Sequence, residues 1–508
     1  MTAKTVRLHP HDPIAVAKQT LPAGTPLPEY GGLRTVDDIP ALHKVAIRDI
    51  TAGSPIRKYD QLIGVATTDI PAGAHVHTHN CAATAATADY EPCADRRPVE
   101  PLPPERRARF LGYPRPDGRV GTRNYIGVLA TVNCAATVVR RIAAAAQATL
   151  DGGHWPGIDG VVAFVHPYGC GMSGNDESFE LLRRTLAGYC AHPNLAAVLV
   201  VGLGCEVMQI ERLLGESGLA DERRHRHLVI QDSGGTPGAI EQGRRIVEDW
   251  FDGVNALERR PVGAEHLILG LQCGGSDALS GVTANPALGR AVDLLVQHGG
   301  TAVLSETPEI YGAEHLLIRR AAEPAVAEKL IARLHWWEDY VAKFGGTLDN
   351  NPSPGNKQGG LTTILEKSLG AQAKAGTTPL NAVYEYAETI RAKGLVFMDS
   401  PGYDPVSATG QIAGGANLIA FTTGRGSAFG SKPVPTLKLA SNSELYRRMP
   451  DDMDINCGCI FDGECTLEDC GQRIFEALLR VASGERTASE RLGYGDEEFN
   501  PWRIGAVY

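Results

Sequence analysis

Several things are missing from this chain of 508 residues. No apolar run approaches the roughly 18 to 20 residues needed to cross a bilayer, so no spanning helix is expected. The opening MTAKTVRLHPHDPIAV has none of the long apolar core of a signal peptide, and the expected location is the cytoplasm. A basic excess is also missing. With 49 Lys and Arg against 59 Asp and Glu, the formal charge is -10. The isoelectric point is near 5.9. Nucleic acid calls for a basic face, so it is not an expected partner. An anionic small substrate stays open, because a local cluster of Arg and Lys can outweigh the net charge. Neither the phosphate-loop pattern GxxxxGKS/T nor the dinucleotide pattern GxGxxG occurs in the required context, so nucleotide binding is not expected. In a reducing compartment the eleven cysteines read as free thiols or metal ligands rather than disulfides.

Eight apolar runs each end in a short turn, most of them bearing Gly or Cys. They are YIGVLATVNCAAT, GVVAFVHPYGCGMSG, LAAVLVVGLGCE, HLVIQDSGGTPG, HLILGLQCGGSD, TAVLSETPE, GLVFMDSPGYD and LIAFTTGRGS. Most lead into a stretch with helical spacing, which is the layout of buried parallel strands feeding crossover helices. The expected fold class is therefore α/β, with a parallel sheet in the catalytic region. In open sheets of this kind ligands bind outside the carboxyl ends of the strands. Cys134, His166, Cys170, Cys205, Cys273, Asp277, Glu306, Asp404 and Arg425 all fall at such ends. Thiols, a histidine, carboxylates and an arginine at one sheet edge suit a metal-dependent enzyme.

The length calls for more than one core. Residues 1–82 form a first unit, in which TLPAGTPL returns as DITAGSPI and DIPAGAHV. Each is a Gly turn followed by a strand-like run, so a small β-rich domain is expected. Residues 83–108, rich in Ala, Thr, Pro, Glu and Arg, read as a linker. A first α/β unit is expected over 109–262 and a second over 263–508.

Cys134, Cys170, Cys205 and Cys273 show no CxxC spacing, which argues against a structural zinc knuckle. Buried small-residue roles would suit each one singly. Four in corresponding positions suit a site assembled by tertiary structure, with thiolates favouring iron or an iron–sulfur cluster. Cys457, Cys459, Cys465 and Cys470 form a second patch, read as core or surface thiols. In HVHTHN, His75, His77 and His79 alternate, which on one strand would aim all three at one face. A ligand set and a solvated polar face both fit that pattern. His43 and His166 are further candidates as ligands or as acid and base. In QCGGSDALSGVTANP the glycines admit close backbone approach, ahead of a helix start that suits a carboxylate. Arg425 in TTGRGS could grip a carboxylate with both arms of its guanidinium.

Taken in order, GYPRPDGRVGTRN, TVNC, HPYGCG, GLGCE, QCGGSDALSGVTANP, SETPE, NPSPGNKQGG, EKSLG and FTTGRGS resemble the altronate/galactarate dehydratase family. HKVAIRDI and IGVATTDIPAGAHVHTHN resemble its N-terminal SAF (β-clip) domain. The resemblance implies dehydration of a sugar acid to a 2-keto-3-deoxy acid. The C2 proton is removed and the C3 hydroxyl lost, with iron, as Fe2+ or an iron–sulfur cluster, or Mn2+ assisting. D-altronate is the first expected substrate and galactarate the second. A sulfolactate sulfo-lyase and a non-catalytic sugar-acid sensor are the remaining alternatives. The metal falls to some of Cys134, Cys170, Cys205, Cys273 and His77. Acid and base roles fall to His43, His166, Asp277, Glu306 and Asp404. Asn285, Lys367 and Arg425 are the candidates for holding substrate. A homodimer is the expected assembly.

Overall fold

The computed structural model of the chain describes residues 3–84, 90–215 and 223–505. Residues up to 84 fold as short antiparallel strands. One sheet runs in the order Thr5–Val6, Ile14–Ala17, Lys44–Ala46, His75–Val76. A second joins Pro55–Lys58, Gln61–Ala66 and Cys81–Ala82. The internal repeat has a structural meaning. Its three turns place Gly24, Gly53 and Gly73 at φ of 80°, 79° and 89°, a region that a Cβ disfavours. In each turn the preceding alanine donates its N–H to an aspartate elsewhere in the unit: Ala23 to Asp38, Ala52 to Asp69 and Ala72 to Asp49, all at 2.8 Å.

The stretch expected as a linker lies along the last α/β unit over its described residues. Tyr90 Oη donates to Glu314 at 2.8 Å, Arg319 Nε donates to Asp95 at 2.6 Å, and Leu102 N bonds Gln297 O at 2.7 Å. Composition hides this, because the anchors are single polar groups and backbone bonds rather than an apolar pattern.

Two parallel sheets follow. In the first, β1 (Tyr125–Ala130), β2 (Gly160–Phe164), β3 (Leu195–Gly202) and β4 (His225–Val229) lie in the order β2-β1-β3-β4. Every residue of β1 and β3 is buried, as expected of strands covered on both faces. In the second, β5 (Ile268–Cys273), β6 (Thr301–Ser305), β7 (Leu380–Tyr384), β8 (Gly394–Met398), β9 (Leu418–Thr423), β10 (Thr436–Ala440) and β11 (Ile455–Asn456) form one seven-stranded sheet. Its order is β7-β8-β6-β5-β9-β10-β11, and every pairing is parallel. All eight apolar runs are strands. The region after residue 376 holds five strands, only two of which are among the eight apolar runs. β10 is easily missed, because Lys438 interrupts its pattern while lying fully buried with its ammonium on Ser427 O at 2.9 Å.

Strand order fixes where ligands can sit. The chain leaves β5 for β6 on one side and later returns to β9 on the other, so the crossover point lies between β5 and β9. The crevice beyond their carboxyl ends is the position that open α/β sheets use for binding. The N-terminal unit covers this edge. Lys44 and Lys58 both reach Glu366, at 2.9 Å each, with all three side chains fully buried.

Candidate active site

Among the described residues, three groups bring metal-ligating atoms within 4.8 Å of one another: His43, His75 and His77; Cys273, Glu306 and Glu309; and the more exposed His9, His11 and Asp60. The histidine group sits where the N-terminal unit meets the sheet edge. His43 Nε2 faces Gln358 O at 3.1 Å, which fixes the proton on that nitrogen. Its Nδ1 lone pair then turns to His75 Nε2, 3.0 Å away. The His75 and His77 rings stack at 5.4 Å, and His77 Nδ1 is buried with no hydrogen-bond partner. Burial, then the neighbouring His43, pushes His75 down to about 4. Burial and the Lys44 ammonium push His77 down to about 3. All three rings are therefore neutral near pH 7, the form that binds a metal. The strand ends at Val76, so His79 falls on a turn, and the alternation that suggested three histidines supplies two. His43, immediately before the neighbouring strand Lys44–Ala46, completes the set.

Gln358 links this group to the next. Its side-chain oxygen accepts from Arg425 Nη2 at 3.3 Å while its backbone carbonyl holds His43. Arg425 lines a cleft of about 560 Å³ that also presents Lys4, Lys18, Arg447 and Arg448. The turn carrying Arg425 is braced by Asp277. Asp277 Oδ1 accepts from Leu279 N, Ser280 N, Ser280 Oγ and Ser441 Oγ, at 2.8 to 3.1 Å. Its Oδ2 accepts from Asn442 Nδ2 at 3.0 Å, and that amide also holds Gly424 O at 2.9 Å. Asp277 is thus a fully bonded carboxylate that positions Arg425. Asn285 is likewise engaged on both sides, with Gly370 O at 2.8 Å and Thr422 Oγ1 at 2.6 Å.

Behind the cleft lies a buried group of acids and amines at the ends of β5, β6 and β8. Lys374 Nζ stands 2.8 Å from Cys273 Sγ and 3.8 Å from Glu306. Lys367 Nζ bonds Glu309 at 2.6 Å and also holds Asn351 Oδ1. Glu306 has φ of 73°, uncommon for a residue with a side chain, and both its carboxyl oxygens are buried without a hydrogen-bond partner. Its backbone is pinned by Ser400 Oγ at 3.0 Å. Strain of about 1–3 kcal/mol is kept at functional sites where the surroundings over-determine it. Burial and the nearby Glu309 charge raise Glu306 well above the usual carboxylate range. Burial pushes the Cys273 thiol up to about 12, despite its ammonium neighbour. Asp404, half-buried at the outer end, is raised by burial and Glu309 to about 7. Gly274 and Gly275 separate this group from the cleft. A Cβ at Gly274 would stand 2.4 Å from Asp404 Oδ2, and one at Gly275 would stand 3.4 Å from Arg425 Cβ.

The other cysteines sit elsewhere. Cys134, Cys170 and Cys205 are exposed, on the loops after β1, β2 and β3. Those loops are stitched together by Asn133 N to Tyr168 O, at 2.9 Å, and Val207 N to Gly169 O, at 3.0 Å. His166 fastens the same turn. Its Nε2 bonds Ala130 O at 2.9 Å and its Nδ1 accepts from Tyr168 N at 3.2 Å, so both ring nitrogens are committed. One expectation is corrected outright: Cys459 and Cys465 are joined in a disulfide, because the short helix Cys459–Asp462 brings their Cα atoms to 5.7 Å. Reasoning from motifs passed over Gln358, Lys374 and Glu309. Glu309 was visible in SETPE and Gln358 in NPSPGNKQGG, but nothing in the chain gives either a role, or marks Lys374, until the fold gathers them.

Comparison with known proteins agrees along the whole chain. Residues 3–84 match the altronate/galactarate dehydratase SAF domain. Residues 112–255 match the D-galactarate dehydratase/altronate hydrolase second domain. Residues 264–507 match the D-galactarate/altronate dehydratase C-terminal domain. The chain is 34% identical to an altronate dehydratase of Bacillus subtilis (strain 168) over 487 residues, covering 96% of each. It is 35% identical to an altronate dehydratase of Escherichia coli (strain K12) over 490 residues, again 96% of each. A galactarate dehydratase (L-threo-forming) of Escherichia coli (strain K12) is 38% identical over 518 residues, 98% of this chain and 97% of the relative. With domain models matched from residue 3 to residue 507 and relatives that align nearly end to end, the chain belongs to the altronate/galactarate dehydratase family of hydro-lyases.

Proposed function

We propose that this enzyme dehydrates a sugar acid, D-altronate first, to the 2-keto-3-deoxy acid in the cleft between the SAF domain and the β5/β9 edge. The observation that carries the reading is Gln358, which holds His43 through its carbonyl and Arg425 through its side chain. It brings a cluster suited to a metal beside a guanidinium suited to a carboxylate.

The residues fit a mononuclear divalent ion. Three neutral imidazoles converge and one buried ring nitrogen lacks a partner, so His43, His75 and His77 would hold Fe2+ or Mn2+. A bound ion supplies positive charge where the enediolate develops. The remaining steps fall to the chain's own groups. Arg425 and the neighbouring cations of the cleft bind the substrate carboxylate. Asp404 removes the C2 proton, its affinity near 7 matching a base that works at neutral pH. Glu306, a candidate acid by sequence, is fully buried and influences Asp404 through charge rather than by touching substrate. Asp277, Asn285 and His166 act by position.

Galactarate is the second reading. Lys4, Lys18, Arg425, Arg447 and Arg448 line one cleft against the carboxylates Asp277, Glu444 and Asp462, an excess of two positive charges that suits both carboxylates of an aldarate. A cluster held by Cys134, Cys170 and Cys205 is a different reading of the metal, favoured by their three stitched loops.

The test is to purify the enzyme anaerobically, load it with Fe2+ or Mn2+, and follow 2-keto-acid formation from altronate, galactarate and sulfolactate. Bound metal and acid-labile sulfide are measured on the same sample. The expected result is turnover of a sugar acid with a sulfide-free metal that is lost in His77→Ala. Full metal content and turnover in both His43→Ala and His77→Ala would overturn the site. Failure to turn over any of the acids in metal-loaded protein would overturn the reaction.

A further inference from the structure

The proposed chemistry leaves out four cysteines near the C-terminus that gather round one guanidinium. Arg473 Nη2 stands 3.0 Å from Cys459 Sγ and 3.0 Å from Cys465 Sγ, the disulfide-bonded pair. Cys470, one turn earlier on the helix that carries Arg473, is in hydrogen-bond contact with buried Cys457. The pair is reachable. Cys465 is half-buried, and a cavity of about 290 Å³ opens onto Asn456 and Arg473, the two residues that touch Cys459 Sγ.

A guanidinium against sulfur favours the thiolate, the nucleophilic form. Exposure alone would select other thiols, since Cys134, Cys170 and Cys205 are all exposed. Among the described residues none of those three has a hydrogen bond to a cationic side chain; Cys205 has only the Gln231 amide, at 3.8 Å. Charge and geometry therefore single out a site that accessibility does not.

We propose that Cys459 and Cys465 are a reversible oxidation site for small hydroperoxides. The Cys465 thiolate attacks the outer peroxide oxygen, the O–O bond breaks, and the alcohol or water leaves after taking a proton. Cys465 is then a sulfenic acid. The Cys459 thiol attacks that sulfur, the S–S bond forms, and water departs with the thiol proton. Two thiols are oxidised by two electrons and the peroxide is reduced by two. A dithiol reverses the change by exchange. The helix Cys459–Asp462 between the two sulfurs also carries Phe461, under the Lys18 ammonium at 5.2 Å, and Asp462, which accepts from Ser443 Oγ at 2.5 Å. The helix that carries Cys459 thus lends Phe461 and Asp462 to the wall of the cleft that holds Arg425.

The experiment uses the full chain, reduced with dithiothreitol, freed of reductant and exposed to hydrogen peroxide. Samples are trapped with N-ethylmaleimide over time and read by peptide mass spectrometry. Cys459 and Cys465 are expected to lose label together, as one cross-linked species and ahead of Cys134, Cys170 and Cys205, and to regain it with dithiothreitol. Arg473→Leu is expected to slow their loss by roughly tenfold or more, while Arg473→Lys retains most of the rate. Circular dichroism establishes that each variant is folded, and the order of labelling in the unaltered protein needs no variant. Loss of label first at the three exposed cysteines, oxidation of the pair that dithiothreitol does not reverse, or an unchanged rate in folded Arg473→Leu would each overturn the proposal.

Discussion

Replacing Glu366 with Gln should loosen the SAF domain from the sheet edge, and the structure sets the size of the effect. Glu366 receives Lys44 and Lys58 at 2.9 Å each, and Thr362 N and Oγ1 at 2.9 and 2.8 Å. Gln keeps the shape and one acceptor but removes the charge, leaving two buried ammoniums without a counterion. Removing one partner from a buried ion pair costs about 3–5 kcal/mol. A retained hydrogen bond returns about 1 kcal/mol. The expected loss is therefore about 3 kcal/mol, read as the first transition in urea or heat unfolding. The combined Lys44→Met, Lys58→Met and Glu366→Met variant should recover most of it, because an apolar set of similar volume removes the desolvation cost. The pH dependence has a definite sign. Burial works against the Glu366 charge, but Lys44 and Lys58 outweigh it and hold the carboxyl well below its ordinary range. The contribution is thus complete above about pH 5 and lost only as strong acid protonates Glu366. A change below about 1 kcal/mol in Glu366→Gln, or a triple variant no better than the single one, would refute the account.

Other outcomes follow from the same geometry. The rate of dehydration should rise with pH through about 7 as Asp404 ionises, and Asp404→Asn should remove that limb and lower kcat by roughly 10²–10⁴-fold. Gly274→Ala should displace the Asp404 carboxylate, 2.4 Å from the new Cβ, and cost about 10²-fold in kcat, with a lower melting temperature as well because the Cβ also meets buried Phe421 Cζ at 2.7 Å. His166→Ala should cost about 2 kcal/mol of stability, since it strips bonds from Ala130 O and Tyr168 N, yet leave the pH–rate profile of the folded enzyme unchanged. Lys374→Met should leave Glu306 and Glu309 sharing less positive charge. The measurable result is a pH–rate limb moved upward from that of the unaltered enzyme, because Asp404 also loses the lowering effect of Lys374.

The α/β architecture was legible because its strands are pure apolar runs whose ends carry the chemistry. The same logic located Asp404, Glu306 and Arg425 at one sheet edge. It could not rank them, because rank depends on hydrogen bonds. Asp277 and Asn285 looked like ligand-facing groups until the fold supplied partners for each of their polar side-chain atoms. The histidine cluster was half visible, since alternation predicts a shared face only while the strand lasts, and this strand stops at Val76. Gln358 lay inside NPSPGNKQGG but carried no role there, because half of its action is through a backbone carbonyl, on a histidine 315 positions away. The Cys459–Cys465 bond was missed for a different reason. The expectation rested on compartment, whereas a short helix and a shared guanidinium are local facts.

One feature of the connection between the domains has mechanical consequences. Tyr90, Asp95 and Leu102 are tied down on the C-terminal unit, so the span from Thr84 to Tyr90 bounds how far the SAF domain can move from it. At roughly 3.5 Å per residue that leash reaches about 20 Å at full extension. A module held on so short a leash meets its own docking face at millimolar effective concentration or above. Cutting the Glu366 contacts therefore gives an enzyme whose roof lifts and falls back many times rather than one that loses it. Only severing the covalent link to Tyr90 would turn the roof into a dissociable subunit, with activity that falls on dilution.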